Sequence, residues 1–297
     1  MNMIKQLRDE ELKIVAEVIR DHIFVPSFSL KTTIFLCGAD LSDKKTGRHK
    51  MANLFENKSR YQLLYPENLF DDLMAGQGQH SLLVLENILA DSVDSIVLLP
   101  ESPGSFAELG AFANNSRLAN KLICVGQKKY SKKKSFINYG PVRLIKASDT
   151  GKVLNIAYDD LESKEKKATI YKRINDAITI IKKKHPIKKN VANIMQTENF
   201  ILPSVYLIDS IAPSELYKLV QFATGQDKKI SEIATRSSIS RLIKNNYITR
   251  TAVGYEVTKK GIQRVRSNLK SPKLDVARIE IMNSQQRKNT MVKAVNF

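Results

Sequence analysis

One carboxylate is singled out by its position after a predicted strand. The apolar segment 95–99 predicts a strand, and Pro100, Pro103 and Gly104 mark the turn that follows it. A helix is predicted directly after the turn, with Glu108 as the acidic side chain of its first helical turn. In open α/β sheets, ligands bind beyond the carboxyl ends of the strands, and exposed helix N–H groups there favour anions. A carboxylate at that place can attack a ligand bound in the crevice.

A second interpretation of the same residues is structural. Ser105 and Glu108 stand three residues apart, which also fits a capping box, in which Glu108 accepts a hydrogen bond from the backbone N–H of Ser105. Under that interpretation Glu108 only stabilises the start of a helix. The spacing alone does not separate the two roles, so both stay open at this point.

The chemistry of a single carboxylate restricts the reactions that it can catalyse. Without a serine–histidine pair or a metal, Glu108 suits attack on the anomeric carbon of a sugar. The transition state there is oxocarbenium-like, and a carboxylate can stabilise or capture it. No strong proton donor is evident beside Glu108. This favours a leaving group that is already cationic, such as nicotinamide, over a purine, which needs a proton.

Composition narrows the class of protein. The two cysteines, Cys37 and Cys124, both lie in apolar runs typical of buried strands, which indicates core thiols in a reducing cytoplasm. The four histidines have no metal-ligand spacing with the cysteines, so no metal site is predicted. No apolar run approaches the length of a membrane span. We expect a cytoplasmic protein with neither a bound metal nor a membrane partner.

The net charge of +18 is unevenly distributed along the chain. Residues 1–127 contain 13 Lys and Arg against 16 Asp and Glu, whereas residues 128–297 contain 35 against 14. A positive field of this size suits a polyanion, and nucleic acid is the most plausible one. A merely solvated basic surface is the alternative.

Strand-like apolar runs alternate with helical patterns over the first 150 residues. Strands are predicted at 32–37, 61–65, 95–99 and 122–125, with a fifth at Val142–Ile145, and a helix is predicted at 69–90. The nearly continuous apolar runs are typical of strands covered on both faces. The predicted fold class is therefore α/β, with a doubly wound parallel sheet of the flavodoxin or Rossmann kind and a C-terminal helical winged-helix domain.

Three strand ends are expected to meet at one edge of this sheet. Gly38, Ala39 and Asp40 follow the first strand, Pro66 and Glu67 follow the second, and the loop 101–108 follows the third. The candidate substrate-binding residues at this edge are Gly38, Ala39, Asp40, Ser102, Gly104 and Ser105.

Other polar residues near these strands are ambiguous. Asp94 stands just before the third strand, near the opposite edge by residue counting, where it would be only a turn residue. It reaches the crevice if the strand begins later. Arg48 and His49 could contact a diphosphate, or they could lie in a flexible surface loop.

The segment 213–268 follows a different pattern. It predicts a helix from Ser214 to Phe222, helices over Ile230–Ala234 and Arg236–Asn246, a β-hairpin around 252–254 and a helix from Lys259 to Leu269. This order is typical of a winged helix, whose recognition helix would be the segment 236–246. The candidate nucleic-acid or partner contacts on it are Arg236, Ser238, Arg241 and Lys244. Winged helices also act as protein–protein modules, so that alternative stays open.

Four motifs together resemble a known superfamily. The stretches IFLCG at 34–38, YPENLFDDL at 65–73, VDSIVLL at 93–99 and SPGSFAELGAF at 102–112 are similar to those of nucleoside 2-deoxyribosyltransferase-like enzymes. With the basic winged helix added, the chain resembles the deoxyribosyltransferase-like effectors of retron anti-phage systems over nearly its whole length.

The resemblance implies a site and partners. Glu108 would be the nucleophile, Asp94 an acid near the ribose, and the Gly38 end of the first strand part of the base and ribose pocket. The protein would be a toxin with NAD as its substrate and no other cofactor. It would be controlled by a retron reverse transcriptase and its RNA-linked single-stranded DNA (msDNA), and it would form a homo-oligomer or a larger assembly. Classical transferases carry Asp six residues before the nucleophile, where this chain has Ser102, and this difference favours hydrolysis over base exchange.

The implied domains are a catalytic domain over 1–150, a helical connector over 151–212, the winged helix over 213–270 and a tail over 271–297. Two other functions stay open. One is an N-glycosidase or deoxyribosyltransferase that acts on nucleosides or nucleotides. The other is a DNA-binding regulator whose α/β domain only senses a nucleotide.

Overall fold

A computed structural model describes residues 8–28, 31–67, 88–89, 92–187, 189–208, 210–225, 228–268 and 274–281. Its strands are β1 (Thr32–Cys37), β2 (Tyr61–Leu64), β3 (Ser95–Leu98), β4 (Leu122–Gln127), β5 (Lys152–Ile156), β6 (Ile248–Arg250) and β7 (Tyr255–Val257). Its longer helices are α1 (Asp9–Ile19), α2 (Gly47–Phe55), α3 (Pro103–Asn114), α4 (Pro141–Ala147), α5 (Lys164–Lys184), α6 (Glu198–Leu207), α7 (Pro213–Thr224), α8 (Lys228–Lys244), α9 (Lys259–Asn268) and α10 (274–281).

The described chain divides into two compact units. One is an α/β unit that includes residues 31–67 and 92–187. The other is a mainly helical unit that includes residues 8–28, 189–208, 210–225, 228–268 and 274–281. The sequence instead predicts boundaries at 150 and 212. The difference arises because β5 and α5, beyond residue 150, complete the α/β unit. Within the described ranges, no helix is apolar over a length that would cross a bilayer.

The α/β unit is built on a five-stranded parallel sheet with the order β2-β1-β3-β4-β5. This is the flavodoxin-like order, whose topological switch point lies between β1 and β3. The predicted α/β fold class is confirmed. The first four predicted strands match β1 to β4 to within two residues at their ends.

Helices cover both faces of the sheet. On one face, α5 contributes a buried stripe that includes Ile174, Ile178 and Ile181, and it packs with α2 on the sheet core. On the other face, α3 buries Leu109 and Phe112, and the Phe112 ring lies 6.4 Å from that of Phe35 in β1. The strands are therefore buried on both sides, as their continuous apolar runs predict.

The predicted fifth strand is wrong. Val142 and Ile145 lie in α4, where their spacing of three residues places both on the buried face of a helix that begins at Pro141. The fifth strand is instead β5, which pairs with β4 and alternates between exposed and buried positions. Of the helix predicted over 69–90, only 88–89 fall inside the described residues, and both are helical.

The second unit combines α1 with α6 to α10 and the antiparallel hairpin of β6 and β7. Before α7, Ile211 forms an isolated antiparallel bridge with Tyr255 of β7. The two helices predicted over 230–234 and 236–246 are one helix, α8, because no breaking residue separates them. Its end is set by Asn246, which has a φ of 58°. The backbone N–H of Tyr247, the residue after Asn246, donates to the carbonyl of Leu242 in the last turn of α8, as in a Schellman motif.

Candidate active site

Glu108 does not cap its helix. The N-cap of α3 is Ser102, whose side chain accepts a hydrogen bond from the backbone N–H of Ser105, and the Ser105 hydroxyl accepts from the N–H groups of Glu101 and Ser102. Glu108 follows Ser105 by three residues and lies in the second turn. The capping interpretation of Glu108 and its predicted place in the first turn are therefore both wrong, because the helix begins earlier than the sequence pattern indicates.

Glu108 sits at the edge of the buried face of α3. It lies between Ser105 and Phe112 along the same side of the helix, and both of these residues are buried. The Cys37 thiol at the end of β1 hydrogen-bonds to its carboxylate. Because β1 and β3 flank the topological switch point, Glu108 occupies the place where open α/β sheets bind ligands.

The environment of Glu108 gives its carboxyl group a pKa close to neutral pH. Burial raises the pKa of Glu108 to about 7, while the positive charge of Arg48 lowers it and the negative charge of Glu67 raises it. A carboxylate with a pKa near neutrality is typical of catalytic groups. Burial likewise raises the pKa of the Cys37 thiol well above its ordinary value, so Cys37 acts as a neutral hydrogen-bond partner of Glu108.

The charge that faces Glu108 comes from an arginine in the core. The side chain of Arg48, in the first turn of α2, is 1% exposed. It donates to the carbonyls of Leu36 and Ala39, and its two terminal nitrogens pair with the carboxylate of Glu67 at 2.6 and 2.7 Å. The hydrogen bonds from Arg48 also lower the pKa of Glu67.

The flexible-loop interpretation of Arg48 and His49 is wrong, since both lie in the first turn of α2, while a contact of His49 with a diphosphate stays a prediction. Arg48 is buried in a helix, so it does not lie in a flexible surface loop, and its donors are already used by protein acceptors. The His49 ring nitrogen Nδ1 lies 2.9 Å from the carbonyl oxygen of Leu41. Both residues position the loop after β1.

A second carboxylate joins two of the loops at this edge. Glu101 accepts hydrogen bonds from the backbone N–H groups of Gly47 and Arg48 at 2.8 Å, and from that of Ala39 at 3.4 Å. Its negative charge thus lies at the N-terminus of α2, where the helix dipole stabilises it. The predicted meeting of three strand ends is confirmed, since Glu101 contacts the loop after β1 and Arg48 contacts Glu67 after β2.

The predicted substrate-binding residues have different surroundings. Gly38 packs against Arg48, since an added Cβ at Gly38 would lie 2.8 Å from the Cβ of Arg48. Ser105 is only 1% exposed and is used in the cap of α3, as is Ser102. Gly104 is exposed, with open space around it, and the exposed Asp40 accepts from the N–H of Ser42. Ligand contact by Gly38, Ser102, Gly104 and the loop after β1 therefore stays a prediction, whereas the Ser105 side chain is buried and used in the cap of α3.

Asp94 lies at the other edge of the sheet. Its carboxylate accepts from the backbone N–H and the hydroxyl of Thr33 at the amino end of β1, at 2.8 and 3.1 Å. The Nζ atom of Lys182 lies 3.9 Å from its second oxygen. The structure does not bring Asp94 and Glu108 together, and the role of Asp94 is to join the starts of β1 and β3.

We expect Asp94→Ala to affect stability and not catalysis. Loss of the charged acceptor leaves two donors of Thr33 unpaired in a buried site, which lowers the free energy of unfolding by about 2–3 kcal/mol. Thermal denaturation measures this loss, and turnover per folded molecule should stay within about twofold of the wild type. A large fall in turnover at unchanged stability would instead place Asp94 in the reaction.

The roles of several residues in this site do not follow from the sequence. The prediction that Cys37 is a core thiol is confirmed by its burial, and its position next to Gly38 at a strand end is the signal that it also borders the crevice. The sequence indicates the roles of Arg48 and Glu101 less clearly. Arg48 belongs to a basic run and Glu101 to a loop, and charged residues in such places are usually solvated. In the described residues, no group of three His, Cys, Asp or Glu side chains is arranged to hold a metal ion.

Most of the candidate nucleic-acid contacts on α8 are buried or bonded to other residues of the helical unit. Ser238 is buried, and Arg241 donates to the carbonyl of Ile194 and to the hydroxyls of Ser237 and Ser238. Arg236 pairs with Glu232 at 2.6 Å. Lys244, at the end of the helix, is exposed. The prediction of Ser238 and Arg241 as external contacts is therefore not supported by their burial and bonding.

A different basic cluster surrounds the end of α8. The cations of Lys260 and Arg264 lie 5.0 and 5.4 Å from the centre of the Tyr247 ring. The Lys260 ammonium also donates to the carbonyl of Asn245, next to Lys244. We call these three cations, Lys244, Lys260 and Arg264, the α8 basic cluster.

Comparisons with known proteins point to one family. The family model described as STM3845 retron effector protein matches residues 44–250. Two relatives from Escherichia coli are named "putative ribosyltransferase/DNA-binding protein". The one from retron Ec86 is 42% identical over 295 residues, which is 97% of this chain and 96% of the relative. The one from retron Ec73 is 35% identical over 123 residues, which is 39% of each chain.

Proposed function

Since this chain belongs to the retron effector family, we propose that it is a toxic effector that hydrolyses the N-glycosidic bond of NAD. Glu108 is the nucleophile in this proposal, and nicotinamide is the leaving group. A retron reverse transcriptase and its msDNA hold the effector in check. NAD is the substrate, and the proposal requires no resident cofactor.

The observation that carries the proposal is the half-buried Glu108 at the switch point of the sheet. Its pKa of about 7 leaves a substantial carboxylate fraction at neutral pH, and Arg48 favours that fraction. Desolvation also makes the carboxylate a stronger nucleophile than a fully hydrated one. The site thus supplies one activated carboxylate, which is the requirement for capture of an oxocarbenium-like centre.

The reaction balances with water as the only co-reactant. A carboxylate oxygen of Glu108 bonds to the anomeric carbon of the nicotinamide riboside, and the C–N bond breaks with its electron pair moving to the pyridine nitrogen. Nicotinamide leaves as a neutral base, so no acid is needed. Water then attacks the same carbon, the carboxylate is released, and ADP-ribose and one proton are formed.

The proposed function is tested with purified protein and separate substrates. The protein is incubated with NAD and with deoxynucleosides, and the products are resolved by chromatography with mass detection. Nicotinamide and ADP-ribose from NAD support the proposal. If neither substrate is converted, the incubation is repeated with the reverse transcriptase and msDNA present. If there is still no conversion, the proposed enzymatic activity is contradicted and the nucleotide-sensing regulator is favoured.

A second candidate is glycosyl transfer to or from nucleosides. The name of the two E. coli relatives specifies ribosyltransferase activity, and this is the observation that favours it. A free base released from a deoxynucleoside, or exchanged for an added base, would support this candidate over NAD hydrolysis.

The same name specifies DNA binding for those relatives, and we propose that the helical unit of this chain binds nucleic acid. Its helix α6, the bridge at Ile211, α7, α8 and the hairpin follow the order of a winged helix, with α8 in the place of the recognition helix. The α8 basic cluster lies at the exposed end of that helix. Cations at this place suit contacts with phosphates.

We expect the α8 basic cluster to set the salt dependence of DNA binding. Replacing Lys244, Lys260 and Arg264 by Ala should reduce the slope of log affinity against log salt by about 2 for a single-stranded oligonucleotide, because each phosphate contact contributes about 0.7. Fluorescence anisotropy at several salt concentrations measures the slope. The matched control replaces the exposed Lys164, Lys172 and Lys183 of α5 and should leave it unchanged. Equal slopes in the wild type and the first variant would contradict this interface.

A further inference from the structure

A cavity of about 610 Å³ opens beyond the carboxyl ends of β3, β4 and β5. Among the described residues, its lining includes Glu101 and Phe106 from the segment after β3, but not Glu108. It thus lies at the same edge of the sheet as Glu108, displaced from the switch point toward β5. Its volume is in the range of small-molecule and nucleotide sites.

One part of the cavity lining combines apolar surface with amides. Phe106, Val142 and Val153 contribute apolar side chains, while Gln127 and Asn155 come from the ends of the neighbouring strands β4 and β5. An apolar slot with a few amide donors and acceptors suits a heterocyclic base, which is flat and carries hydrogen-bonding groups on its edge.

Another part of the lining is cationic. Lys45, Lys129 and Lys133 line it, and the ammonium groups of Lys129 and Lys133 each lie 4.9 Å from the centre of the Tyr130 ring. Tyr130 thus holds two positive charges on one short loop. Cations at this spacing favour a ligand that carries more than one negative charge, such as a diphosphate.

The lining also carries two carboxylates, but they are outnumbered. The Asp159 carboxylate pairs with Lys50 at 2.7 Å, and Glu101 accepts from three backbone N–H groups at the start of α2 and the loop before it. With three lysines against two carboxylates, the net charge of the lining is positive and favours an entering anion.

We propose that this cavity binds a nucleoside diphosphate group, with the base in the apolar slot and the phosphates at Lys129 and Lys133. The inference rests on the proposed function in one respect. The group bound there would be the part of the dinucleotide substrate that stays behind when nicotinamide leaves, so the enzyme would select dinucleotides over free nucleosides.

Binding of ADP to the full-length protein tests the cavity without any turnover. Isothermal titration calorimetry of the wild type gives the reference affinity, and the double variant K129A/K133A should bind ADP at least about tenfold more weakly. The matched control K132A/K134A removes the same charge from exposed lysines of the same loop that do not line the cavity. Its affinity should stay within about twofold of the wild type.

Two further titrations distinguish binding of the base from binding of the phosphates. Adenosine and inorganic pyrophosphate should each bind more weakly than ADP, and only pyrophosphate and ADP should respond to K129A/K133A. No ADP binding, or an equal loss in both double variants, would overturn the proposal. These measurements need no hydrolysis. Specific ADP binding without nicotinamide release, both in the absence and in the presence of the reverse transcriptase and msDNA, would support the cavity and contradict the proposed reaction. Nicotinamide release without specific ADP binding would support the reaction and overturn the cavity.

Discussion

Glu108→Gln is expected to lower the rate of nicotinamide release by about 10³-fold or more while the affinity for NAD stays within about threefold of the wild type. The amide has the shape of the carboxyl group but cannot form the covalent bond to the anomeric carbon. Since the loss concerns the reacting oxygen, it should appear in kcat and not in KM. Steady-state kinetics with NAD, together with calorimetric binding to the variant, measures the two effects separately.

The pH dependence of the wild type serves as the internal control. With a pKa of about 7, Glu108 is mostly protonated at pH 6 and mostly ionised at pH 8, so turnover should rise through pH 7 and then level off. The residual rate of Glu108→Gln should lack this rise. Asp176→Asn, which changes an exposed carboxylate on α5, should behave as the wild type. Unchanged turnover in Glu108→Gln would contradict the role of Glu108 as the nucleophile.

Arg48→Met is expected to produce the largest loss of stability among single substitutions at this edge, about 3 kcal/mol in the free energy of unfolding. The substitution keeps an unbranched side chain but removes donors to the carbonyls of Leu36 and Ala39 and the pair with Glu67. Urea denaturation of the full chain, followed by circular dichroism, measures the change.

Glu67→Gln is the matched control for Arg48→Met. The Glu67 side chain is 59% exposed and the amide oxygen of Gln still accepts from the buried Arg48, so the loss should be smaller, about 1–2 kcal/mol. Arg48→Met should also raise the pKa of Glu108 further, because a cation that lowers it is gone. The rise of turnover with pH would then move above pH 7. A variant with the stability and pH profile of the wild type would contradict the role given to Arg48.

Sequence patterns predicted the parts of this fold that depend on local periodicity. The predicted strands at 32–37 and 122–125 are apolar runs of the right length, and the sheet class follows from their alternation with helices. The fifth strand was missed because Val142 and Ile145 suit a buried strand as well as a buried helical face. Only the packing around Pro141 and the pairing of β4 with β5 decide between them.

For the site, the sequence predicted the central carboxylate but not the residues that surround it. Glu108 follows from its place after a strand, but its partners come from parts of the chain more than 40 residues away. Arg48 belongs to a run that reads KKTGRHK, and nothing in such a run marks the one cation that is buried. The position of Asp94 depended on where β3 begins, and a shift of a few residues is beyond the precision of sequence patterns.

The three hydrogen bonds of Glu101 have a consequence for how such an effector can be controlled. They tie the backbone of the loop after β1 to the loop after β3, so this wall of the crevice is preorganised by folding before any substrate arrives. Substrate binding then contributes little to assembling the wall. Under the proposed function, a partner that inhibits the effector would gain little by distorting this wall, and control through access to the crevice is favoured.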